Sequence, residues 1–223
     1  MSAPLRVLVA CERSGAVRSR LRLRGIDAYS CDIDPAEDGD PHHLMMDAVQ
    51  AATTMRWSVL IAFPDCTYLT GAAEWCYRDD VADRVKPGTL TGAARREARQ
   101  KALEFVLALW SAPIPVKAIE NPVGALSRLW RKPDQTIQPY QFGEDASKRT
   151  CLWLDGLPKL CPTGYVMPRM VNGKKRWANQ TDSGQNRLAP GATRAMDRAR
   201  TYPGIADAMT TQWPPYFRGR IAA

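Results

Sequence analysis

The stretch LRVLVACERSGAVRSRLRLRG, Leu5–Gly25, changes its pattern twice in 21 residues. Leu5 to Ala10 is a β-branched, apolar run and reads as a buried strand. Cys11 to Gly15, CERSG, follows as a turn. Ala16 to Leu23 then alternates apolar residues and arginines at helical spacing, and Gly25 marks the stop. Strand, turn and helix recur downstream. Asp27 to Cys31 and Trp57 to Phe63 read as strands, Ala93 to Trp110 as a long helix, and Val116 to Ile119 and Thr150 to Leu154 as further strands. This alternation predicts an α/β fold with a mostly parallel sheet and helices on both faces. From about Asp155 to Pro190 the pattern gives way to Pro, Gly, Asn and basic residues, which read as a loop-rich insert. Ala206 to Trp213 reads as a short closing helix. The expected organisation is a core over 1–154, an insert over 155–190 and a C-terminal segment, 191–223, returning to the core.

The 223 residues carry a net charge of +8. Much of it is local: Tyr165 to Arg200 holds eight Lys/Arg (Arg169, Lys174, Lys175, Arg176, Arg187, Arg194, Arg198, Arg200) against two acids, Asp182 and Asp197. Such a segment suits a polyanion and makes DNA the expected partner, with Lys174, Lys175, Arg176 and Arg187 as candidate phosphate contacts; it also reads as a solvated surface. The six cysteines form no CxxC pair, and free thiols in a reducing cytoplasm are expected. Cys151, Cys161, His42 and His43 match no common zinc-finger spacing, so no metal is expected. No apolar run suggests a leader or a bilayer span, so no membrane partner is expected; no protein partner is evident.

Four strands end in polar or reactive groups: Cys11/Glu12, Asp32/Asp34, Asp65/Cys66 and Glu120/Asn121. In an open parallel sheet the carboxyl ends of the strands form one rim, where ligands bind. CERSG has one glycine and no GxGxxG, a poor cradle for a pyrophosphate. Gly15 and the helix that follows would still admit a small ligand. Asp32 stands where a carboxylate binds ribose hydroxyls, although Asp32 and Asp34 also read as turn or cap residues. A nucleoside-bearing ligand without a required pyrophosphate fits, and S-adenosyl-L-methionine (SAM) is one.

Cys66 adds a nucleophile. A thiolate can attack an electrophilic carbon, although Asp65 beside it disfavours the ionised form. Glu120 ends a neighbouring strand, so thiol and acid could meet over one substrate. Together with a methyl donor they make a set for pyrimidine chemistry: thiolate attack at C6, an acid hydrogen-bonded to the ring at N3, methylation at C5, and elimination of the thiol. Tyr68 and Trp75, in the loop after Cys66, could close over a base. Cys31, Cys151, Trp110, Trp130 and Trp153 read as core, and Cys76 as packing.

With these residues in order, the chain resembles the DNA cytosine-5 methyltransferase family, and most of all its short phage-encoded members. ACERSG (Ala10–Gly15) resembles the family's cofactor loop. Asp32 stands at the ribose-binding acid and Met46-Asp47 at the acid near the adenine. Pro64-Asp65-Cys66 resembles the nucleophile loop, and Glu120-Asn121-Pro122 the Glu-Asn motif. Lys148-Arg149 corresponds more loosely to the arginine motif, and Tyr202 to Ala206 to the closing cofactor motif. The resemblance implies a Rossmann-like SAM-dependent methyltransferase fold. It implies catalytic roles for Cys66, Glu120, Asn121 and Arg149, and SAM contacts from Cys11, Glu12, Ser14, Gly15, Asp32, Ile33, Asp47 and Pro64. The chain departs from the family pattern where Asp65 replaces the proline before the cysteine, where Ile205 replaces an asparagine, and in the brevity of the recognition region. Two other readings stand beside this one: the same covalent chemistry on RNA or a free nucleotide, or with another transferred group, and a nucleic-acid-binding relative without turnover.

Overall fold

In a computed structural model, residues 4–188, 197–198 and 200–217 are described; Arg194 of the basic segment lies outside them. The fold is a seven-stranded, mostly parallel α/β sheet of Rossmann-like architecture, with helices on both faces. Its strands are β1 (Arg6–Ala10), β2 (Asp27–Asp32), β3 (His43–Met45), β4 (Val59–Ala62), β5 (Val116–Pro122), β6 (Gln135–Ile137) and β7 (Thr150–Asp155). Their order is β3-β2-β1-β4-β5-β7-β6. The first five in that order run parallel, and β7 is antiparallel to both β5 and β6.

The apolar runs are continuous because the central strands are covered on both sides. On β1, Leu8 and Ala10 face one core with Leu60 and Ala62 of β4. That side is closed by α2 (Ala48–Thr54) and by α3 (Gly92–Ser111) through Leu103, Val106 and Leu109. Val7 and Val9 face the other side with Val59 and Ile61. There α1 (Ala16–Leu23) contributes Val17 and Leu21, and α5 (Pro203–Gln212) contributes Ile205, Met209 and, just past its end, Trp213. A short helix, α4 (Leu126–Leu129), follows β5.

The expected strands and the long helix are present, with β5 running three residues further, through Glu120 and Asn121 to Pro122. The closing helix begins earlier than its apolar pattern suggests, because Pro203 supplies a favourable first turn. β3, α2 and β6 are additional: three-residue strands carry no period, and the sequence AVQAATT of α2 shows no helical stripe. Trp153 is fully buried, stacked 6.0 Å from Trp130, which meets Trp110 edge-on at 5.1 Å. Cys31, Cys76 and Cys151 are buried. The insert contains a hairpin of β8 (Arg169–Val171) and β9 (Lys174–Arg176). Asn172 and Gly173 close it at φ 49° and 73°, the left-handed pair that a tight two-residue turn requires. Trp177 anchors the hairpin by stacking on Tyr140 at 4.4 Å. Among the described residues, no helix is long and apolar enough to cross a membrane.

Candidate active site at the sheet rim

The strand register decides what meets at the rim. Ala10 pairs with Cys31 and with Ala62, and Ala62 pairs with Ile119. The next residue on each strand path therefore comes level: Cys11, Asp32, Phe63 and Glu120. All four polar strand endings lie on one edge of the sheet.

A cavity of about 370 Å³ opens over the β1 and β2 ends of this edge. Of the residues expected around a cofactor, Cys11, Glu12, Ser14, Asp32, Ile33 and Asp47 line it. Gly15 and Pro64 are not in its lining. Gly15, at φ +65°, instead lies under the Arg18 guanidinium and the Asp38 carboxylate, which leave no room for a side chain there. Arg18 is fully buried, ion-paired to Asp38 and hydrogen-bonded to Ser30 Oγ at 2.9 Å. Glu12 is also buried, and its carboxylate accepts the N–H groups of Val17 (2.6 Å) and Arg18 (3.2 Å), capping α1 from below. Burial pushes the Glu12 carboxyl up to about 7 against those two bonds.

Asp32 accepts Asp34 N–H at 3.1 Å, so the turn reading holds for one of its oxygens, and Asp47 accepts Gln50 N–H at 2.8 Å, which makes it the N-cap of α2. A carboxylate accepts at both oxygens, so each has a second to offer. Sequence reasoning missed the far wall, where Phe105 comes from α3 and Arg200 from the C-terminal segment. Arg200 pairs with Glu37 at 2.6 Å across 163 residues of chain, a separation that leaves no local signal.

The cavity carries Glu12, Asp32, Glu37, Asp47 and Asp65 against Arg13 and Arg200. It suits a cationic ligand and opposes a pyrophosphate.

Asp65 lines this cavity and Cys66 follows it outside the lining. The acid next to the thiol also shapes the local backbone. Asp65 Oδ1 accepts Thr67 N–H at 3.0 Å and Thr67 Oγ1–H at 2.8 Å, closing the turn that presents Cys66. Asn121, buried on β5, donates from Nδ2 to the Pro64 carbonyl at 2.8 Å. Cys66 is half-buried, and its thiol is raised above the ordinary value of 9.0 by burial first, then by Asp65 and Glu120; Lys148 opposes the rise. Burial also raises the Glu120 carboxyl, against Lys148 and a hydrogen bond with Thr150. Lys148 is thus the cation whose charge reaches both groups. Arg149 is exposed, and its charge is felt at Cys151.

Tyr68 is half-buried, with its ring against Arg95. In the insert, Lys174 and Lys175 are exposed. Arg176 Nε donates to Asp182 O at 3.0 Å and Arg187 Nε to Gln180 O at 2.8 Å, so these two cations bind the insert's own backbone. Among the described residues, no group of His, Cys, Asp and Glu could hold a metal ion.

No family model and no curated protein matches the chain. Among solved structures, it is similar to an E. coli protein described as a "putative DNA modification methyltransferase encoded within prophage", at 14% identity and a TM-score of 0.41. The match covers 84% of this chain and 62% of that one, so this chain spans less than two thirds of that protein's length.

Proposed function

We propose that this chain transfers a methyl group from SAM to C5 of cytosine in DNA through a covalent Cys66 adduct. The observation that carries this reading is that Cys66, in the loop after β4, and Glu120, on the adjacent β5, come near enough for the charge of the acid to bear on the thiol, beside an acid-lined cavity. The cavity chemistry fits the cofactor: SAM carries sulfonium and ammonium charges against a single carboxylate and has no phosphate, and the lining is predominantly anionic with Arg13 and Arg200 among its acids. Asp32 would take the ribose hydroxyls, Asp47 the adenine, and Ile33 an apolar face of the base. SAM, when bound, supplies an electrophilic methyl group.

The chain's own residues would do the rest. The Cys66 thiolate adds to C6 of the cytosine. The Glu120 O–H, kept neutral to higher pH by burial, donates to ring N3, so that negative charge does not localise on the ring. C5 becomes nucleophilic and takes the methyl group. A solvent water takes the C5 proton, the C5–C6 double bond re-forms as the Cys66 thiolate leaves, and the N3 proton returns to Glu120. Asn121 holds the loop by the Pro64 carbonyl, and Lys148 favours the thiolate. A base inside a duplex cannot reach Cys66, so the target must leave the stack. Lys174 and Lys175 supply exposed charge for the phosphates.

Calorimetry with SAM, followed by nucleoside analysis of DNA incubated with the protein and SAM, tests the proposal. Binding that weakens in Asp32→Ala, together with 5-methylcytosine in the product, is the expected result. SAM binding without any methylated nucleoside would favour a relative without turnover. No binding by the wild-type protein would overturn the cofactor assignment.

A further inference from the structure

A loop that presents a nucleophile has no strand ladder to satisfy its backbone, so its carbonyls need other donors. In this protein they have them. The Cys66 carbonyl accepts from the N–H groups of Leu69 (3.0 Å) and Thr70 (2.9 Å), and the Leu69 carbonyl from Ala125 N–H at 2.7 Å. Between them, the Thr67 and Tyr68 carbonyls are held by side chains from elsewhere. Arg95 Nη2 donates to Thr67 O at 3.5 Å. Arg99 Nε at 3.0 Å and Tyr77 Oη at 2.7 Å both donate to Tyr68 O.

We propose that Arg95 and Arg99, four residues apart on one face of α3, are positioning residues that fix the backbone of the Cys66 loop. The proposal rests on the reading of Cys66 as the nucleophile. Nothing in the resemblance points to these arginines; the geometry does. Arg95 is buried, with its guanidinium near the rings of Tyr77 (4.9 Å) and Tyr68 (5.3 Å). Arg99 lies 3.5 Å from the centre of the Tyr77 ring and grips Glu74 with both terminal nitrogens, at 3.0 and 2.6 Å. Arg128, beyond β5, reaches the same Glu74 at 3.2 Å. Arg99 and Arg128 together hold the Glu74 carboxyl down to about 2. The loop is therefore pinned between α3 and the segment after β5, with Tyr77 as the wedge. Its purpose is geometric, since a displacement of about 1 Å at a reacting group can cost on the order of 100-fold in rate.

The test uses the thiols as reporters. In the intact protein, iodoacetamide labelling of Cys66 is measured by peptide mass spectrometry relative to exposed Cys161. Arg99→Ala and Tyr77→Phe are expected to speed Cys66 labelling by about 3-fold or more at fixed pH, since each removes one hydrogen bond from the loop. With SAM and DNA, the same variants should lower kcat by about 10-fold or more while leaving KM for SAM within about twofold. Arg99→Lys should fall between, because it keeps a donor for Tyr68 but loses the fork to Glu74. Unchanged labelling and kcat in folded Arg99→Ala would overturn the proposal, as would a loss of thermal stability alone. If Arg99→Ala does not fold, Tyr77→Phe, which deletes one hydroxyl, decides. Wild-type protein without methyl transfer would overturn the function proposed above and leave this proposal to the labelling ratio.

Discussion

Asn121 donates a hydrogen bond from its side chain to the Pro64 carbonyl at 2.8 Å, 57 residues away in the chain. The bond fastens the end of β5, where Glu120 sits, to the loop that carries Cys66. Thiol and acid are therefore set relative to each other by a third side chain, not by their own contact.

Asn121→Ala should break this fastening and leave the Pro64 carbonyl without its donor. A buried acceptor left unpaired costs about 1–3 kcal/mol. Denaturant unfolding should show a loss of that size. Turnover should fall further than stability explains, with SAM affinity unchanged, because the cavity lining does not include Asn121. A fall in SAM affinity would place Asn121 in the cofactor site.

Lys148 opposes the forces that raise the Cys66 thiol. In Lys148→Met the thiol should need still higher pH to ionise, and the pH profile of Cys66 alkylation should move upward. At about pH 8 the rate should drop by about 2- to 5-fold, the effect of one charge at a partly solvated distance. Arg149→Met should leave the profile in place. The reverse pattern would return the cationic role to Arg149.

Glu12 gives the fold a pH dependence of its own. Its carboxyl titrates near 7 in the folded chain against an ordinary value of 4.5. The folded state thus favours the protonated form. That contribution is complete below about pH 4.5, declines as pH rises, and is gone above about pH 7. The difference corresponds to roughly 3 kcal/mol. Glu12→Gln, which cannot ionise, should lack this decline between pH 4.5 and 7 in urea titrations. Parallel curves for the two proteins would contradict the assignment.

If the insert contacts DNA, affinity should fall with salt at a slope of about −0.9 per neutralised phosphate. Replacing Lys174 and Lys175 with alanine should make the slope shallower by up to about two such steps, almost equally for all sequences. Arg187→Ala should make it shallower by up to about one further step, because the Nε bond to the Gln180 carbonyl leaves the guanidinium charge in place. An unaltered slope in the double variant would make the hairpin a solvated surface only.

The rim was legible in the sequence because each central strand is an apolar run that stops abruptly at a polar pair, and parallel pairing brings such stops level. What supports the rim was not legible. Arg95 and Arg99 lie 28 and 31 residues from the carbonyls they hold, on a helix whose other face forms the core. Lys148 and Arg149 are adjacent, and which of them reaches the thiol depends on how the chain enters β7. Asp65 looked only like an electrostatic liability for the thiol. It is that, but it also closes the turn, and a one-residue motif cannot announce both roles. The edge strands β3 and β6 escaped because pairing, not pattern, makes them strands.

The central claim is a covalent bond between Cys66 and C6 of cytosine, and trapping tests it most directly. DNA containing 5-fluorocytosine in randomised flanks is incubated with the protein and SAM, because fluorine at C5 blocks the elimination that would free the thiol. Intact-mass measurement should show protein plus one oligonucleotide, with the linkage mapping to Cys66 and absent from Cys66→Ser. Methylation of ordinary cytosine without any trapped adduct, and retained by Cys66→Ser, would contradict the account.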